Sequence, residues 1–406
     1  MVDMDLPPRL ETVMSPPAVG PRSTVGLEFR LTWASSLARH QDDLFAYVNL
    51  YQDDLPPELG QGLLGAEAGQ RLELPPAVRF GPREPGLRRR LARADWPLDD
   101  APPRLGRFYP RRAFPGLGPG GGAVARLVEA GEAGLTLDLN HPLAGREVGL
   151  AVTVREPEVS VRLAAPGPVD WLARLGLGPG MQVPAPEGAT DFYADQPFSR
   201  QAESPDPEFY RQARLAPHLD AAARSRLAAL HGRLLRPGTR VLDLMASLHS
   251  HLPPDLELAE VIGLGLNPEE LEANPVLTRR LVHDLNAAPS PPLEPAGLDA
   301  IICTSSLEYL TRPREVLAGC LAALKPGGLL LMSFSNRCFP PKVVRIWSEL
   351  HDFERLGLAL DYYRQVEGLS DIQTWSDRGW PRPPDDPHYP EQRQSDPLFA
   401  IWGRKA

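Results

Sequence analysis

Four short, unbroken apolar runs spaced by helix-length segments constrain the back half of this chain more than any other feature. They are Arg240-Val-Leu-Asp-Leu-Met245, Glu260-Val-Ile-Gly-Leu-Gly-Leu266, Leu298-Asp-Ala-Ile-Ile-Cys303 and Gly328-Leu-Leu-Leu-Met-Ser-Phe334. Such runs are what parallel strands look like when helices cover both faces of their sheet. His218–Leu235 places apolar residues at helical spacing just ahead of them. An α/β domain is therefore expected over 207–406.

Ahead of it the pattern has period two. Alternating stretches at Val25–Leu31, Gln70–Leu74, Ala123–Val128 and Glu147–Val154 predict strands, hence a small barrel or bent sheet over 21–157. Residues 83–138 begin with an Arg-, Pro- and Gly-rich interruption of that pattern, as an inserted flap outside the core would. Between the halves, 158–206 is rich in Pro and Gly with short apolar pieces such as Val169–Leu177, and reads as a linker.

Composition agrees with two folded units. The 406 residues are 42% hydrophobic and 23% charged, within the globular range. The net charge of -9 disfavours a phosphate-binding surface, so no nucleic-acid partner is expected. Cys303, Cys320 and Cys338 lack disulfide or zinc spacing, so no metal site is expected, and Cys303 and Cys320 read as buried small hydrophobes. No apolar run approaches the ~18 residues of a membrane span, and Met1–Pro8 does not resemble a secretory signal. A cytoplasmic protein without a membrane partner is expected.

The string Leu137-Asp-Leu-Asn-His-Pro-Leu-Ala-Gly145 resembles the Asn-His-x-Leu-Ala-Gly segment of SlyD-type FKBP prolyl isomerases, and Arg107-Phe-Tyr-Pro-Arg-Arg-Ala-Phe114 resembles an element of that family's insert-in-flap. The resemblance implies an FKBP-like half-barrel with an insert. It also implies rotation of X-Pro bonds in unfolded or proline-containing clients, without a cofactor. The barrier to that rotation is roughly 18–20 kcal/mol, and a dry aromatic pocket lowers it without nucleophile or base. Laid on the family pattern, Phe29, Phe80 and Leu150 stand at pocket positions and Asp42 or Asp43 at the pocket carboxylate. Pro56 replaces a residue whose N–H receives the substrate carbonyl, and proline has no N–H to give.

The back half resembles class I S-adenosylmethionine methyltransferases, on Arg240–Met245, Asp299-Ala-Ile-Ile-Cys-Thr-Ser-Ser-Leu-Glu-Tyr-Leu310, Leu324-Lys-Pro-Gly-Gly-Leu329 and Asp396–Lys405. That resemblance implies a Rossmann-like fold with Asp243, Ala246, Ser247, Asn267, Asp284 and Leu285 around the cofactor. Met245, Ser247 and His249 stand where the family has glycines, and Gly265 where it has the ribose-binding acid. His249, His251 and Ser333–Arg337 are expected at the mouth of the site. Three functions follow from these resemblances: an isomerase or folding helper fused to a methyltransferase-like domain; a client-binding module that does not turn over; and a methyltransferase whose front domain presents a protein substrate.

Overall fold

The computed structural model describes residues 18–99, 101–117, 123–132, 134–159, 167–185 and 189–406. Met1–Pro8 lies outside the described residues, as do 118–122 of the expected insert and 160–166 of the expected linker.

The front half is antiparallel. Thr24–Ala34 (β1) and Arg39–Asn49 (β2) form a hairpin across a turn in which the Ser35 hydroxyl oxygen accepts the N–H groups of Leu37 and Ala38. The short helix Pro57–Leu63 (α1) buries Leu59 and Leu63 and leads into Arg71–Ala77 (β3). Four strands then intervene: Arg88–Leu91 (β4), Phe108–Pro110 (β5), Val124–Gly131 (β6) and Gly134–Asp138 (β7). Val148–Glu156 (β8) returns between β1 and β3, giving the order β2-β1-β8-β3. The intervening strands make a separate sheet in the order β4-β7-β6-β5. Its own small core holds Tyr109, Phe114, Leu127, Leu135 and Leu137, with Trp96 edge-on to Tyr109 and Phe114.

The stretch expected as linker is packed. Trp171–Leu175 (α2) is capped by Asp170 and buries Trp171 and Leu175, while Met181 and Phe192 are buried in the largest apolar cluster of the back half.

The back half runs Asp206–Phe209 (α3), Ala221–Leu234 (α4), Arg240–Leu244 (β9), Glu260–Gly265 (β10), Pro268–Ala273 (α5), Arg279–Val282 (β11) and Leu298–Thr304 (β12). It continues with Pro313–Ala323 (α6), Leu324–Phe334 (β13), Arg345–Glu349 (α7), Asp352–Arg364 (α8), Leu369–Arg378 (β14) and Leu398–Lys405 (β15). The strand order is β11-β10-β9-β12-β13-β15-β14, with β15 antiparallel to both neighbours. All four predicted runs are strands, and the reversal of strand order between β9 and β12, which run parallel, creates the crevice where such sheets bind ligands.

The two halves share one sheet. β14 pairs in parallel with β2, from Gln373↔Arg39 to Arg378↔Leu44, which makes eleven continuous strands. This seam also engages Asp42. Asp42 is 1% exposed and stands opposite Leu31, on the face of β2 that carries Leu44 and the front half's apolar cluster. It accepts from Ser376 Oγ at 2.6 Å and from Arg378 at 3.0 and 2.9 Å. The neighbouring Asp43 points to the other face, as strand alternation requires, and accepts from Trp375 Nε1 at 2.9 Å and Arg30 Nε at 2.7 Å.

Removing one member of a buried, hydrogen-bonded ion pair leaves the other uncompensated. Asp42→Ala should therefore lower the unfolding free energy by about 3 kcal/mol in denaturant titration. An exposed control, Glu367→Ala, should change it by less than about 0.5 kcal/mol. Equal effects from the two would remove the seam as a source of stability.

Candidate functional site

The C-terminal ends of β9, β10 and β12 open into a cleft of ≈ 1130 Å³, counting its open mouth. Asp243, Ala246, Ser247, Asn267, Asp284 and Leu285 all line it. Six residues named from the sequence thus line one hollow, drawn from β9 itself and from the segments after β9, β10 and β11.

The loop after β9 explains how glycine-poor sequence still fits there. Met245 occupies the first glycine position with φ of 57°, a left-handed conformation that costs an L side chain roughly 1–2 kcal/mol. Ala246 N–H donates to Leu264 C=O at 2.7 Å, drawing the loop onto β10. A Cβ on Gly265 would collide with the Ala246 carbonyl oxygen, so no acidic side chain can stand at that position. The loop is held further by Ser247 Oγ donating to Glu270 Oε2 at 2.6 Å, and by Asn274 Nδ2 donating to Ser247 C=O at 2.8 Å.

Asn267 lines the cleft, but its amide is already engaged. Oδ1 accepts the Glu269 and Glu270 N–H groups as the cap of α5, and Nδ2 donates to the Tyr210 and Arg211 carbonyls. Glu270 also lines the cleft, from the first turn of α5.

The roof is Asp206–His218, a segment without a sequence motif. Asp206 accepts from Arg200 at 2.7 Å, Lys342 at 2.9 Å and Asn286 Nδ2 at 2.7 Å. Arg214 donates its backbone N–H to Glu270 and lays its guanidinium over the rings of Phe209, Tyr210 and Phe339, 4.5 Å from the last centroid. His218 stands edge-on to Phe339 at 5.4 Å. None of these contacts has a short-range signal, which is why the sequence missed them.

Burial shifts several groups in and beside the cleft toward their neutral forms. Asp243 is buried with one carboxyl oxygen unpartnered, and burial raises its pKa to about 7 against the pull of Ser250. Glu308, on the turn after β12, is wholly buried with both oxygens unpartnered, and burial raises it to about 8. Burial lowers His218 and His249, and it takes His251, beside other positive groups, to about 3. His218, His249 and His251 all line the cleft. Cys303 and Cys320 are buried as expected.

The residues expected in the front half are brought together only in part. Phe29 and Leu150, each 1% exposed, lie in one apolar cluster, against which half-buried Phe80 packs. Phe80 stacks on His141 at 4.3 Å. Pro56 is the N-cap of α1, its carbonyl accepting from Leu59 and Gly60. The hollow they were expected to enclose is filled, because Trp171 stacks on Phe29 at 5.5 Å with planes 13° apart.

Residues 246–332 match the methyltransferase domain family. The chain is 33% identical over 162 residues to a ubiquinone biosynthesis O-methyltransferase of Xanthomonas campestris, covering 37% of this chain and 65% of that protein. The Coxiella burnetii protein of the same name is 31% identical over 81 residues, covering 20% of this chain and 35% of its own. The chain thus spans at most 65% of the length of these curated relatives. Among solved structures, a methyltransferase of Archaeoglobus fulgidus aligns over 45% of this chain and 93% of its own at 15% identity, with a TM-score of 0.33. A putative methyltransferase of Bacillus halodurans aligns over 46% and 99% at 10% identity, with a TM-score of 0.32. The strand order and the matched domain together establish a Rossmann-like methyltransferase fold for the back half. No described helix is long and apolar enough to cross a membrane.

The raised pKa of Asp243 fixes the sign of one pH effect. Its folded value of about 7 lies above the ordinary carboxylate value, so the stability it contributes is present at low pH and lost as pH rises through 7. Asp243→Asn should therefore gain on the wild type by up to about 1.4 kcal/mol per pH unit between about pH 5 and 7. Denaturant titrations of both proteins across that range check it, and a constant difference would show Asp243 to be ionised throughout.

Proposed function

We propose that the back half binds S-adenosylmethionine in this cleft and transfers its methyl group to a hydroxyl or amino acceptor. The observation that carries the reading is the convergence of Asp243, Ala246, Ser247, Asn267, Asp284 and Leu285 on one crevice at the C-terminal ends of parallel strands. The matched domain and the names of the curated relatives support it. When bound, the cofactor supplies an electrophilic methyl group on a positively charged sulfur.

The residues present fit such a ligand. Asp284 Oδ1 holds its own turn through the Asn286 N–H at 2.9 Å, leaving Oδ2 for the exocyclic amine of an adenine beside Leu285. Glu270 offers carboxylate lone pairs to a sugar diol in place of the acid that Gly265 cannot carry. The unpartnered oxygen of Asp243 suits an ammonium group. An acceptor hydroxyl or amine taking that methyl group would have to give up a proton. His218 and His249, kept neutral by burial, are the groups placed to take that proton. The roof of Tyr210, Arg214 and Phe339 keeps water from competing.

Calorimetric titration of the full chain with S-adenosylmethionine tests this. Saturable binding is expected, weakened about tenfold by Asp284→Ala, the loss of one charged hydrogen bond. No heat at millimolar ligand would end the proposal.

A second reading gives the front half FKBP-type prolyl isomerase activity on unfolded or proline-containing clients. It is favoured by the four-stranded sheet placed between β3 and β8 and by the shared cluster of Phe29, Leu150 and Phe80. It predicts that the full chain accelerates isomerisation of an X-Pro tetrapeptide. A rate equal to buffer would remove it for the protein as folded here.

A further inference from the structure

Val169–Leu175 sits on the front half as a bound peptide would. Val169 and Asp170 meet the loop at Asp54 in extended conformation and make one isolated parallel bridge there, Asp54↔Asp170, before the chain turns into α2. Asp54 N–H donates to Val169 C=O at 2.9 Å, and Trp171 N–H donates to Asp54 C=O at 3.0 Å. The adjoining carboxylate of Asp53 takes both polar handles of the segment. Its Oδ1 accepts Val169 N–H at 3.2 Å and its Oδ2 accepts Trp171 Nε1–H at 2.9 Å. Beyond that bridge, the indole lies flat on Phe29, and Leu175 enters the same cluster.

Backbone pairing to an exposed edge combined with a pocket for one side chain is how extended peptides are recognised in trans. Here both parts are supplied by the same chain, and covalent attachment raises the effective concentration of the segment to the millimolar range, enough to keep a modest site filled. We propose that the loop at Asp53–Asp54 and the floor at Phe29 form a peptide-binding site, and that Val169–Leu175 is its resident ligand. The site takes a segment that pairs briefly in extended form and then turns into a helix, presenting one large aromatic side chain two residues after the carbonyl that Asp54 N–H bonds. Other chains enter only when the resident leaves. This assignment is independent of the methyl-transfer reading.

The probe is a fluorescein-labelled synthetic peptide with the sequence of residues 168–176, followed by anisotropy on the full chain. Trp171→Ala/Leu175→Ala, which vacates the floor and leaves Asp53 and Asp54 in place, should bind it at least about tenfold tighter than the wild type. A probe with alanine in place of its tryptophan should lose that binding. Equal affinity of wild type and variant, no binding to a variant that still melts cooperatively, or undiminished binding of the alanine probe would each overturn the proposal. Hydrogen exchange on the unaltered chain gives a readout that needs no variant. The amides of Asp54 and Trp171 should open together and faster than those of the β1–β8 ladder. Exchange of both only with global unfolding would make the segment ordinary core and overturn the site.

Discussion

The seam between β2 and β14 is the constraint on which the rest of the structure depends. Two adjacent carboxylates, Asp42 and Asp43, are buried there, and an unpaired buried carboxylate is among the most costly groups a protein can hold. Each is satisfied from a different side: Asp42 by Ser376 and Arg378, Asp43 by Trp375 and Arg30. A slip of one residue would exchange their faces and strand both charges, so the polar pairs fix the register more firmly than apolar contacts would. Arg378 then reaches past Asp42 to donate to Leu175 C=O at 3.2 Å, so the same side chain that joins the halves also touches the resident segment.

The cleft depends on the other end of the same sheet. Its position follows from the reversal of strand order at β9 and β12, and its detail from one close approach. Because the Ala246 carbonyl stands against Gly265, the usual acid after β10 is sterically forbidden, and the carboxylate that enters the cleft comes instead from Glu270. Met245 in a left-handed conformation and Gly265 without a side chain are two sides of this arrangement. The loop gives up glycine at the bend, while the strand requires it at the contact.

What the sequence revealed follows the same physics. β9, β10, β12 and β13 were legible because each carries a run of mostly apolar residues, as strands covered on both faces do. β2 and β14 were not, because Arg39-His-Gln-Asp-Asp43 and Ser376-Asp-Arg378 look like solvated charge. These two strands pair with each other, so the polar groups that hide each from pattern reading are the ones that satisfy its partner. The residues of the cleft that follow strands were found from motifs, whereas Tyr210, Arg214, His218 and Phe339 reach it through contacts distant in sequence. Trp171 was passed over because Pro and Gly around it read as linker, although Val169–Leu177 stood out as an apolar piece.

That supposed linker organises both sites. Its first part fills the front groove, and its last part leads into the roof of the cleft. Between them the chain is fixed at several points: Phe192 is buried in the back core, Pro197 C=O accepts Ile346 N–H at 2.9 Å, and Ser199 C=O accepts Arg345 N–H at 2.8 Å. Arg200 then holds Asp206. Coupling between two sites requires an element with two arrangements that both ends bias. A segment anchored to α7 and to the back core midway along its length lacks that freedom. On this geometry, opening of the proposed front groove would be local and would leave the roof over the cleft in place.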